Sequence, residues 1–135
     1  MVDDLTPAVA GIPRLLLRLE GAALLIVALA MFWHRGASWW LFAILILAPD
    51  LSFLGYLAGP RVGAIAYNAM HATLAPIALA LIGVFAASPA TIAVALIWLA
   101  HIGADRMLGY GLKYAAGFGF THLGRVGRAA RQESA

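Results

Sequence analysis

Four apolar runs of about 20 residues, separated by breaks of only a few turn-forming residues, decide what this chain can fold into. They occupy residues 14–33, 39–57, 62–86 and 89–113. Each is long enough to cross the hydrocarbon core of a bilayer, where a helix satisfies its own backbone and an open strand does not. Composition argues the same way: 64% of the residues are hydrophobic and 11% charged, against about 25% charged in soluble domains. Short links make successive helices antiparallel neighbours. The expected fold is an all-α integral membrane protein, an antiparallel four-helix transmembrane bundle. It forms one membrane domain over residues 1–122, followed by a basic tail over 123–135.

The first eleven residues carry Asp3 and Asp4 and no basic residue. A secretory signal begins with positive charge, so the first run is expected to remain as a helix. Pro49 should kink the second run near Leu45, because a proline ring leaves the carbonyl four residues back without a donor. With four spans, Arg14, Arg18, Arg61, Arg106, Lys113, Arg125, Arg128 and Arg131 fall on one side and only Arg35 on the other. The positive-inside rule then puts both termini in the cytoplasm and the protein in the cytoplasmic (inner) membrane. Trp33, Trp39 and Trp40 mark the opposite interface. The tail, residues 115–135, is expected as a short surface helix or a disordered segment, with Arg125, Arg128 and Arg131 on anionic headgroups.

Several classes drop out. There is no cysteine, which excludes disulfides, thiolate metal sites and cysteine nucleophiles. Nine basic residues against six acidic ones cluster at segment ends, where topology explains them, and no nucleic-acid motif is present. Gly55, Gly59 and Gly63 have the small-xxx-small spacing that allows close helix approach, within the chain or in a homo-oligomer.

Ionisable residues inside such runs are costly and mark candidate sites. At 1.5 Å per residue, Asp50 lies roughly 10 Å from the cytoplasmic end of its run, Asn68 and His71 roughly 9–14 Å, and His101 and Asp105 roughly 12–18 Å. Glu20 sits at a comparable level. His101 and Asp105 share a helix face at i and i+4, Asn68 and His71 at i and i+3, and Tyr67 adjoins His71. The expected site is therefore an inward polar layer in the cytoplasmic half. His71, His101, Asp50 and Asp105 are its candidate metal ligands, supported by Asn68, Glu20 and Tyr67. Arg106, Tyr110 and Lys113 are expected at the cytoplasmic rim.

Mixed imidazole and carboxylate donors on facing helices suit a divalent ion such as Zn, Mn or Fe, and an open coordination position could activate water for hydrolysis. No HExxH or Glu-x-x-His pair is present, so the spacing alone is not diagnostic. His–Asp chains also relay protons or ions, although the non-cytoplasmic half looks too apolar for a through-pathway. A haem held by His71 and His101 is disfavoured by the carboxylates beside them. Ser52, two residues after Asp50, has no nucleophile-elbow pattern around it. The plainest alternative is a non-catalytic scaffold or transport accessory whose polar groups satisfy one another and set helix register.

Three segments carry a family resemblance: PDLSFLGYLAG (Pro49 to Gly59), YNAMHATLAP (Tyr67 to Pro76) and HIGADRMLGYGLKY (His101 to Tyr114). Together they resemble the small bacterial membrane protein family catalogued as domain of unknown function four-two-six-zero. The resemblance covers about Leu15 to Leu123. It implies a four-span membrane protein with these motifs as its hallmark, and transfers no activity.

Overall fold

The computed structural model describes residues 7–133. Helix α1 spans Gly11–His34, and Gly36, at φ +64°, turns the chain. Ser38 caps the next helix by accepting from the Leu41 N–H. That helix, α2, covers Trp39–Leu45 and stops. Pro49 has no N–H for the Leu45 carbonyl, and the chain tightens into a 3-10 helix over Ala48–Ala58. The kink expected near Leu45 is thus a change of helix type. Gly59, at φ +110°, leads into α3, Pro60–His71.

The third run is also broken, which the sequence reading did not anticipate. Pro76 cannot donate to the Ala72 carbonyl. Ala72 takes an extended conformation, with φ −81° and ψ 141°, and the helix restarts as α4, Leu74–Phe85. Ser88 caps α5, Pro89–Leu108, by accepting from the Thr91 N–H. Gly109, left-handed at φ +95°, closes α5, with its N–H on Arg106 O at 3.0 Å and the Tyr110 N–H on Asp105 O at 2.8 Å. This glycine cap ends the last long helix at Leu108 instead of near Lys113.

Taken as continuous stretches, Gly11–His34, Trp39–Ala58, Pro60–Phe85 and Pro89–Leu108 are four helices long and apolar enough to cross a membrane, with mean hydropathies of 2.2, 2.0, 1.6 and 1.4. The least apolar is the most central. Within α5, 56% of the apolar window is buried, against 17%, 6% and 17% for the others. It packs on α1 and α4, while α3 packs on the 3-10 helix. Glycines set two of these approaches. A Cβ on Gly103 would lie 2.6 Å from the Leu25 nitrogen and 2.8 Å from the Gly21 oxygen, and one on Gly55 would lie 2.7 Å from the Ala66 Cβ and 3.3 Å from the Gly63 Cα. Gly55 and Gly63 are therefore in use within the chain. Outward faces are largely apolar: Trp40, Leu57 and Phe85 are more than 80% exposed. Such a surface suits acyl chains and not water.

Residues 109–125 fold back on the bundle instead of lying as a surface helix or disordered segment. Strands β1, Phe120–Thr121, and β2, Gly124–Arg125, pair antiparallel, and Lys113 bridges to Thr121. The hairpin turn crosses residues 122 and 123, where the membrane domain was expected to end, and Leu123 is fully buried. Only α6, Arg128–Glu133, takes up the expected short helix. The Val9 N–H donates to His122 O at 2.8 Å and the Tyr114 hydroxyl to Pro7 O at 2.7 Å. Both ends of the described chain thus lie at one end of the bundle.

Candidate metal centre

Asp50, His71, His101 and Asp105 converge. Each offers one ligand atom, and the four atoms lie within 4.8 Å of one another. The two helix breaks put them there. After Pro49 tightens the second segment, the Asp50 N–H bonds Leu47 O at 3.0 Å, leaving the Ile46 carbonyl for His101 Nδ1 at 2.6 Å. His71 is the last residue of α3, and its Nδ1 lies 2.9 Å from Tyr67 O, one turn back. A carbonyl only accepts, so both Nδ1 atoms donate, and each ring, when neutral, turns an Nε2 lone pair inward.

Those two Nε2 atoms are 3.1 Å apart. Asp50 Oδ1 is 3.3 Å from each of them. Asp105 Oδ2 is 3.4 Å from His71 Nε2 and 3.5 Å from His101 Nε2. The imidazoles are buried, while the Asp50 and Asp105 side chains keep 33% and 22% exposure. The cluster is therefore open on its carboxylate side.

Aromatic rings and a lysine support His71. Tyr67 stacks on its imidazole at 3.7 Å between centroids and 9° between planes, and its hydroxyl donates to Asp105 Oδ2 at 3.4 Å. Phe53 packs against Tyr67 at 5.3 Å between centroids and lies 6.4 Å from the His71 ring. Asn68 does not point at the cluster. It clamps the Lys113 backbone, with its Nδ2 donating to Lys113 O at 2.8 Å and its Oδ1 accepting the Lys113 N–H at 2.7 Å. Lys113 is 5% exposed, so it does not reach outward as a rim residue would. Its ammonium donates to Phe118 O and sits over the Phe118 and Tyr67 rings. Burial, partly offset by Asp105, pulls that ammonium down to about 8.

Arg106 also turns inward, donating from Nη2 to the His71 carbonyl at 3.1 Å. The break at Ala72 leaves that carbonyl needing a donor, which outweighs the pull of the headgroups. Tyr110 does stay at the surface, 45% exposed. Glu20 is outside the four-residue group. It is exposed on α1, where it lines a cavity of about 250 Å³ with Arg106, Thr73 and His122.

Sequence reasoning missed two contributors. Trp98 donates its indole N–H to Met70 O at 2.6 Å, and its i, i+3 spacing to His101 was a legible signal. The Ile46 carbonyl carried no signal, because every residue has one.

No curated protein and no solved structure matches the chain. The family model described as domain of unknown function DUF4260 matches residues 14–126, and the chain belongs to that family.

Proposed function

We propose that this is a four-span protein of the cytoplasmic membrane that holds a divalent metal ion between Asp50, His71, His101 and Asp105. The observation that carries the reading is the convergence of two Nε2 lone pairs and two carboxylate oxygens. Without a cation or a shared proton, four acceptors would face one another, two of them on buried imidazoles. Five of the six separations lie between 3.1 and 3.5 Å, and all four atoms lie within 4.8 Å of one another, close enough for one ion to touch all four. A nitrogen and oxygen donor set suits Zn, Mn or Fe. Two imidazole nitrogens 3.1 Å apart leave no room for a porphyrin plane between them, which argues against haem.

The positive-inside bias supports cytoplasmic termini, with residues 1–122 as the membrane domain and Arg125, Arg128 and Arg131 near anionic headgroups. The open carboxylate side leaves room for water or substrate on the ion, and so for metal-assisted hydrolysis. Tyr67 steadies His71, and Asn68 steadies the segment over the site.

Elemental analysis of the purified protein tests the centre. About one equivalent of Zn, Mn or Fe is expected in the wild type, less than a tenth of that in His101→Ala, and full occupancy in Glu20→Gln. Absence of stoichiometric metal from the wild type overturns the reading and favours the rival, a proton shared between the two imidazoles.

A further inference from the structure

Beside the metal ligands lies a cavity of about 200 Å³ lined by Leu45, Ala48, Pro49, Met70, Val94, Ile97 and Trp98. Its one polar side-chain group, the Trp98 N–H, is already committed to Met70 O. Nothing in this lining can hold a polar molecule, so the occupant is apolar. An engineered cavity of about 150 Å³ binds benzene, so this one takes about six to eight carbons of one chain.

Its position fits a particular amphiphile. Pro49 and Met70 each immediately precede a ligand, and Ile97 shares a face with His101 at i and i+4. Measured along α5 from Leu108, Asp105 and His101 lie about 5 and 10 Å in, whereas Ile97 and Val94 lie about 16 and 21 Å in. The metal layer is thus at the level of a lipid's carbonyl region, and the cavity extends from it toward the bilayer centre. That head-to-tail order is the one a lipid already has in the leaflet on the side of the chain ends. Charge selects the head. A divalent ion cancels Asp50 and Asp105, and the Arg106 guanidinium, which donates to the His71 carbonyl, adds positive charge beside them. The buried Lys113 ammonium adds to it.

We infer that this site binds a single-chain fatty carboxylate, its chain in the Leu45–Met70–Trp98 cavity and its carboxylate on the metal. The inference rests on the metal reading above. The test uses the metal-loaded protein in phosphatidylcholine nanodiscs with palmitic acid bearing a mid-chain diazirine. Photolabelling is expected at Met70, Val94 and Trp98, competed by palmitate but not by hexadecane. Val94→Phe, which fills the cavity two turns from His101, should cut labelling at least tenfold with metal content intact. Leu45→Phe serves if that variant does not fold.

Equal labelling of outward residues such as Leu57 and Phe85 shows ordinary annular lipid and overturns the inference. So does metal retention without site-specific labelling, which leaves the metal centre standing. Specific labelling that survives complete metal removal overturns the placement of the carboxylate. A wild type that holds no metal sinks the metal reading itself, and the inference falls with it.

Discussion

Asn68 offers a sharp test of how the site is covered. Its amide meets both the N–H and the carbonyl of Lys113 at 2.7 and 2.8 Å, at a residue 5% exposed. Asn68→Leu keeps the branched side-chain shape and removes both partners. Each orphaned buried group costs about 1–3 kcal/mol. Relaxation toward water at the end of the bundle trims the pair to about 2–4 kcal/mol. At 1.4 kcal/mol per factor of ten, that is roughly a 30- to 700-fold loss of protection. Hydrogen exchange reads it at the Tyr114 and His122 amides, which bond Phe120 O and Leu112 O and so report opening of residues 109–125. Asn68→Asp, which keeps the acceptor and loses the donor, should fall between. The Ala100 amide, within α5, is the control and should not move. A change below about threefold at Tyr114 and His122 would refute the clamp.

Three further outcomes follow from particular contacts. Burial, and after it the Arg106 guanidinium, holds the His122 imidazole below its ordinary 6.5. The unfolded chain therefore binds more protons, and stability is lost as pH falls through about 6.5. Leu112, whose N–H donates to His122 Nδ1 at 2.9 Å, should exchange faster at pH 5.5 than at 7.5 after correction for intrinsic rates, and a flat profile contradicts this. Gly103→Ala puts a methyl 2.6–3.0 Å from three backbone atoms of α1, which must move away at about 1–3 kcal/mol; an unchanged midpoint on thermal unfolding in detergent speaks against that packing. Because the chain has no cysteine, Ser38→Cys and Ala116→Cys report topology cleanly. An impermeant thiol reagent outside intact cells should label the first and spare the second, and the reverse pattern inverts the proposed orientation.

Most of the site was legible because its periodicity was. His101 and Asp105 one turn apart, and His71 one turn after Tyr67, fix which side chains share a face. Depth counted from segment ends then brings Asp50 to the same level. What counting could not supply was rotation between helices. Glu20 is at a comparable depth, yet it sits on an exposed face of α1, because Gly21 and not Glu20 meets α5. Arg106 and Lys113 were misplaced for a related reason. Long cationic side chains normally seek headgroups, but these two meet carbonyls, of His71 and Phe118, that no hydropathy count reveals. The folded segment after Gly109 was hidden for another reason: strands of two residues leave no periodic trace.

The helix breaks and the Asp–His cluster belong together physically. An unpaired carbonyl in an apolar medium costs several kcal/mol, so a proline in each of two apolar segments should be a defect. Here three carbonyls near the breaks find donors on α5: Ile46 O takes His101 Nδ1, Met70 O takes Trp98 Nε1, and His71 O takes Arg106 Nη2. The first of these bonds also fixes the tautomer that presents His101 Nε2 to the cluster. An unbroken second segment would use its Ile46 carbonyl internally and leave His101 free to turn its proton inward, toward His71. Pro49 thus acts on the chemistry of the site through backbone it does not itself touch, by deciding which carbonyl is left over.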